Sequence, residues 1–299
     1  MDWIFLALGA ALATSLTTIF SKLGLKGVNS NFATLVKTFI VVIFSLLLCL
    51  FTGALPSIQS FTIENYVFLV LSGISTGLSW LCYFKALKLA NVNKVVPIDK
   101  SSFILTNILF LIFFFDSTTH NGDLGTIFAL IGSMMLMLGG TLLMVINKQE
   151  NEEKANKLWI LFAILSAAFA SLVALFGKFG LTNVNSNLAT LFKTIIVLLF
   201  SLAIVLVKKD YKGVKEITWK NWLFLILAGL ATGGAWLLEF AAYSIECGNA
   251  IAINSIGKLS ILLTMLFSFI FLKEKFTIKT LIGLTLLTGG IVLAIVFSL

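Results

Sequence analysis

Charged and aromatic side chains inside apolar runs are where this chain could do chemistry, because a charge at the centre of a membrane span costs about 2.5–3.5 kcal/mol on insertion scales. Lys100 lies about seven residues into one apolar run and Lys258 about eight into another. At about 1.5 Å per residue, each sits roughly 10 Å below the end of its run. Two ammonium groups so placed could attract the carboxylate of an amino acid or another organic anion. Lys100 could equally form a structural ion pair with its neighbour Asp99. Asp99 itself could carry a coupled proton or simply neutralise Lys100. Glu239, near the end of its run, could carry a proton, meet a substrate ammonium, or reach back to the interface on its flexible stem. The position matching Glu239 in the other half is Tyr83. Trp80 and Trp236 stand within spans, where an indole either packs or stacks on a substrate. Ser102 with Thr106, and Ser260 with Thr264, share helix faces by their spacing of four. They are secondary cavity candidates, since such hydroxyls often bond back to their own helix. Lys37 and Lys193, one to two turns inside their runs, read as structural lysines with interfacial stems.

Other chemistries find no support. His120 is the only histidine and stands in the short run STTHNGD beside Asp123. There is no Ser/His/Asp set, HExxH motif or Walker-type loop, so neither an enzyme nor a cofactor is expected. Cys49, Cys82 and Cys247 are scattered without CxxC spacing, which argues against a thiolate metal site or a disulfide framework. All 21 cationic residues are lysine, so no bidentate guanidinium fork is available.

The elements that position these groups follow from composition. Hydrophobic residues make up 59% of the chain and charged residues 11%, with a mean hydropathy of +1.07. Soluble domains carry about a quarter charged residues, so lipid is the solvent here. The net charge of +8 comes from lysines at the ends of apolar runs, which excludes nucleic acid as a partner. The first run, after MDWIF, reads as a retained helix and not a signal peptide. Spans are expected at about 3–21, 32–52, 65–87, 95–115 and 124–146, then 158–177, 188–207, 221–243, 250–272 and 280–298. Asn29–Asn31 and Asn185–Asn187 precede spans 2 and 7 as helix caps. Pro56 marks a turn, and Pro97 falls near the start of span 4, where its missing N–H costs little. Gly139–Gly140 and Gly289–Gly290 favour close helix packing. The charged stretch 148–157 is a linker between residues 1–147 and 158–299.

Those two halves are copies. VNSNFATLVKT at Val28–Thr38 returns as VNSNLATLFKT at Val184–Thr194, and 19 of the 36 positions from 3 to 38 match at an offset of 156. Gly73, Thr76, Gly77 and Trp80 return as Gly229, Thr232, Gly233 and Trp236. Beyond them an offset of 158 pairs Lys100 with Lys258, Thr106 with Thr264 and Asp116 with Glu274. Such self-similarity is a duplication. Five spans per half, an odd number, would insert the second copy upside down. The lysines agree: Lys22, Lys26, Lys85, Lys88 and Lys94 flank loops 1–2 and 3–4 of the first half, whereas Lys208, Lys209, Lys212, Lys215, Lys220, Lys273, Lys275 and Lys279 flank loops 7–8 and 9–10 of the second. Loop 6–7 carries only Lys178. The fold expected is an all-α membrane protein of ten transmembrane helices in two five-helix inverted-topology repeats. Both termini then lie outside, by the positive-inside rule.

The paired NSNxATLxKT stretches, the two TGxxW runs, VVPIDKSSFILT at Val95–Thr106 and the acidic ends of spans 4 and 9 resemble the EamA domain of the drug/metabolite transporter superfamily. The resemblance covers nearly the whole chain and names no substrate. It implies a secondary transporter of amino acids or related metabolites, an exporter working by alternating access around a central cavity. Many ten-helix members are expected to keep both termini in the cytoplasm, the reverse of what the lysines here indicate. The triose-phosphate translocators, distant members, are similar in carrying basic residues on the equivalent helices. The expected partners are a small-molecule substrate and membrane lipids, with a homodimer left open, in the plasma membrane of a bacterium. Alternatives are an organic-anion or phosphorylated-metabolite exchanger, or a lipid scramblase or assembly subunit without a small-molecule substrate.

Overall fold

The computed structural model describes residues 2–24, 28–89, 95, 98–99, 101–115, 123–145, 158–211, 217–245, 250–272 and 277–298. Lys100, Pro97, Asp116, His120, Cys247, Glu274 and the 148–157 stretch lie outside the described residues. The first half contributes α1 Asp2–Gly24, α2 Ser30–Phe51, α3 Ile63–Leu89, α4 Ser102–Phe113 and α5 Leu124–Val145. The second contributes α6 Leu158–Gly180, α7 Ser186–Lys208, α8 Trp219–Ser244, α9a Ala250–Gly257, α9b Leu259–Leu272 and α10 Ile278–Ser298. Among the described residues nine helices are long and apolar enough to cross a membrane, the α9 segments counting together as Ala250–Phe267, and α4 is a shorter apolar helix.

Local chemistry explains where the helices begin. The Asn29 side chain accepts from the Asn31 N–H at 2.8 Å, and Asn185 accepts from Asn187 and Leu188 at 3.0 and 3.3 Å. Each satisfies amide groups that no earlier turn can reach. Pro56 sits at the start of a 3-10 turn, Leu55–Ser60. Within the helices, hydroxyls bond back to carbonyls one turn earlier: Thr38 to Thr34, Thr76 to Ser72 and Thr232 to Ala228. This removes unmet polar groups from a lipid-facing bundle.

Spans 4 and 9 are not continuous helices. Each breaks at a single turn, where Ser101 N–H donates to Ile98 O at 3.2 Å and Lys258 N–H donates to Ser255 O at 3.0 Å. The breaks lie 157 positions apart, so the geometric counterpart of Lys258 is Ser101. The sequence offset of 158 had matched it with Lys100.

Packing runs across the halves. α1 lies chiefly on α8, α3 on α6, α5 on α10 and α2 on α7. The contacts come in exchanged pairs. A Cβ on Gly73 would stand 2.7 Å from Ile196 Cγ2, and one on Gly229 would stand 2.7 Å from Ile40 Cβ. Gly77 faces Phe200 as Gly233 faces Phe44, and Gly140 faces Gly283 as Gly290 faces Ser133. Gly139 and Gly289 have nothing within 4 Å, so only one glycine of each doublet serves close approach. The end of α1 at Gly24 meets Leu225 near the start of α8, and the end of α6 at Gly180 meets Leu69 near the start of α3. Each of these helix pairs therefore runs antiparallel. Two asparagines fasten the same ends: Asn221 Nδ2 donates to Gly24 O at 3.0 Å, and Asn65 Nδ2 donates to Thr182 O at 3.0 Å and Gly180 O at 3.3 Å. Lys178 belongs to the last turn of α6, where its Nζ donates to Tyr243 O at 2.5 Å, so it is committed to α8.

Candidate functional site

The glycine contacts set the geometry of the centre. Gly73 approaches the carbonyl of Lys193, and Gly229 that of Lys37, so the lysine-bearing turns of α7 and α2 press against α3 and α8. Seven residues beyond each glycine, about two turns on, stands a tryptophan. Trp80 and Trp236 stack on each other with centroids 6.3 Å apart and planes 19° from parallel. Lys37 Nζ lies 5.2 Å from the Trp80 centroid, and Lys193 Nζ lies 4.8 Å from those of Trp236 and Phe240. Lys37 and Lys193 are repeat partners, as are the two tryptophans. The result is a four-residue cluster shared equally between the halves, with Lys193 only 3% exposed. The buried Lys193 ammonium over its indole draws on the ring quadrupole, worth about 2 kcal/mol when desolvated, whereas Lys37 is only half-buried.

One turn further along, the symmetry fails. On α8, Glu239 is within electrostatic reach of Lys193 and of Tyr243. At the matching place on α3 stands Tyr83, within electrostatic reach of Asp99. Asp99 accepts a 2.6 Å hydrogen bond from Ser166 Oγ. Ser166 is in turn joined to Ser79: its Oγ lies 3.0 Å from Ser79 O, and Ser79 Oγ donates to Ser166 O at 3.1 Å. Asp99 is thus fixed to α6, and Glu239 is a carboxylate near Lys193.

A narrow cleft of about 10 Å³ reaches Trp80, lined also by Asn31, Thr34, Leu81, Ser201 and Ile204. The hydroxyl-bearing residues of spans 4 and 9 do not line this cleft. Thr106 Oγ1 donates to Ser102 O at 3.0 Å, and both residues are buried. Ser260 is buried and Thr264 half-buried on α9b, while Lys258 occupies the break before it. Between α4 and α9a, Asn254 Nδ2 donates to Asn107 Oδ1 at 2.5 Å and to Phe103 O at 3.3 Å. Of the residues singled out in the sequence, the two tryptophans meet each other, Glu239 lies near Lys193 and Tyr83 lies near Asp99, while Lys37 and Lys193, read there as structural lysines, lie over the indoles. Their occurrence in both copies was visible; their pairing with the indoles was not. Among the described residues no group of three His, Cys, Asp or Glu side chains could hold a metal ion.

Two ammonium groups thus lie over the indole faces. The sequence model of the EamA-like transporter family matches residues 1–138 and again 157–296. The chain belongs to the EamA-like transporter family. An uncharacterized transporter in the cobO 3' region of a Sinorhizobium species is 40% identical over 139 residues, which cover 46% of this chain and 97% of that relative. A protein of known crystal structure shares the fold with a TM-score of 0.75 at 16% identity, over 99% of this chain and 97% of the other. With its apolar helices, this family member is an integral multi-pass membrane protein and a transporter.

Proposed function

We propose that this EamA-family protein is a secondary transporter that exports small carboxylate-bearing metabolites, amino acids or close relatives, by alternating access. The observation that carries the reading is the stacked Trp80–Trp236 pair flanked by Lys37 and Lys193. A carboxylate would be held by the ammonium groups and an apolar body by the indoles, with Glu239 placed to receive a substrate ammonium or a coupled proton. Ten spans in two inverted five-helix halves are part of the same reading. The antiparallel α1/α8 and α3/α6 pairs and the exchanged glycine contacts support it, since an odd number of spans per half inverts the second copy. The lysine distribution supports both termini outside, in the plasma membrane. Asp99 and the set Lys100, Lys258, Ser102, Thr106, Ser260 and Thr264 are assigned to a secondary locus along spans 4 and 9, where the helix breaks would let the segments pivot.

The test is a thermal-shift screen of purified protein against amino acids, other carboxylates and phosphorylated metabolites, since a ligand raises apparent stability by mass action. Hits are then assayed as efflux from proteoliposomes. Stabilisation by carboxylates, with efflux that needs no exchange partner, is the expected result. Stabilisation by organophosphates with obligatory counter-transport would replace this reading with the anion exchanger. Lipid scrambling without metabolite flux would replace it with the scramblase.

A further inference from the structure

Asp210, just beyond the end of α7, grips the start of α2 from the opposite half. Its Oδ1 accepts from Asn29 Nδ2 at 2.8 Å, and its Oδ2 accepts from Asn31 Nδ2 at 2.6 Å. Asn31 also lines the cleft that runs to Trp80. The same seam at the other end of α2 and α7 is built differently. The residue 156 positions before Asp210 is Ala54, 2% exposed and clustered with Cys49, Leu188 and Leu191. One end is closed by apolar contact, whose separation would expose hydrocarbon to water. The other is closed by two hydrogen bonds that join half-exposed Asp210 to exposed Asn29 and buried Asn31, and water can replace those. Both bonds cross between the halves, so the halves cannot part at this rim while they hold. We infer that the Asp210 carboxylate, clasped by Asn29 and Asn31, is the latch closing the lysine-rich mouth of the central cleft.

The inference rests on the transporter reading, and its test needs no substrate. In full-length protein with Cys49, Cys82 and Cys247 changed to serine, Thr34→Cys or, separately, Ser201→Cys reports on the cleft through its rate of labelling by a water-soluble maleimide. Asp210→Ala should raise that rate about tenfold, the scale of losing charge-assisted hydrogen bonds. Asp210→Asn, which keeps the shape but not the charge, should fall between. Asn29→Ala with Asn31→Ala should reproduce the Asp210→Ala rate, and all three together should add nothing more, because both sides form one contact. Labelling within about twofold of the parent in Asp210→Ala, or independent multiplication of the two effects, would overturn the latch. Neither result depends on which metabolite is carried, so a failed latch and a failed substrate assignment are distinguishable.

Discussion

Lys193→Met removes one central ammonium while keeping a stem of similar length. Lys193 is 3% exposed, and its Nζ sits 4.8 Å from the centroids of both Trp236 and Phe240. Exchanging a buried charge for an apolar group of similar volume is often neutral for folding, so the variant should retain its helical fold. Its effect should appear in ligand binding. A charge-assisted hydrogen bond between ammonium and carboxylate is worth about 1.5–3 kcal/mol. At about 1.4 kcal/mol per tenfold, that weakens Kd by about 10- to 100-fold. The assay is equilibrium binding of the carboxylate that most stabilises the parent, measured by calorimetry on purified variants. Lys37→Met should behave alike because it occupies the repeat-related place over Trp80. Lys279→Met, exposed in the first turn of α10, is the control and should leave Kd unchanged. Lys193→Met should also make Glu239→Gln less costly than it is in the parent, since Glu239 then lacks its nearby cation. A Lys193→Met protein that binds within about twofold of the parent would remove the central cluster from the mechanism.

Three further outcomes test the architecture. Gly229→Ala places a methyl group 2.7 Å from Ile40 Cβ and 3.0 Å from Lys37 O, and should destabilise by about 1–3 kcal/mol, whereas Gly139→Ala meets nothing within 4 Å and should be neutral or slightly stabilising; detergent thermal melts compare them. Asn221→Leu strips Gly24 O of its donor and should cost about 1–3 kcal/mol, with Asn65→Leu similar at the other end of the bundle, read by the same melts. Ser166→Ala withdraws the 2.6 Å donor from Asp99 and should lower stability by about 1.5–3 kcal/mol, an effect that Asp99→Asn made in the same protein should reduce in a double-mutant cycle.

The sequence by itself determined the solvent, the helices and the duplication, because each is a property of local composition or of self-comparison. Apolar runs of about 20 residues have few alternatives in lipid. Cap chemistry at Asn29 and Asn185 was legible for the same reason, since it concerns residues two or three apart. What tertiary structure decided is which polar groups meet. These helices are apolar nearly all round, so no stripe of periodicity tells which face turns inward. That rotation is set by the close approach of Gly73 to α7 and Gly229 to α2, and it carries Lys37 and Lys193 onto the indoles instead of to the interface. The same applies to the breaks at Ser101 and Lys258, where one turn of backbone geometry shifts the repeat register from the one sequence matching had chosen. Asp210 shows the limit most clearly. Its partners lie 179 and 181 positions away and its repeat counterpart is Ala54, so only the folded chain brings the carboxylate to Asn29 and Asn31.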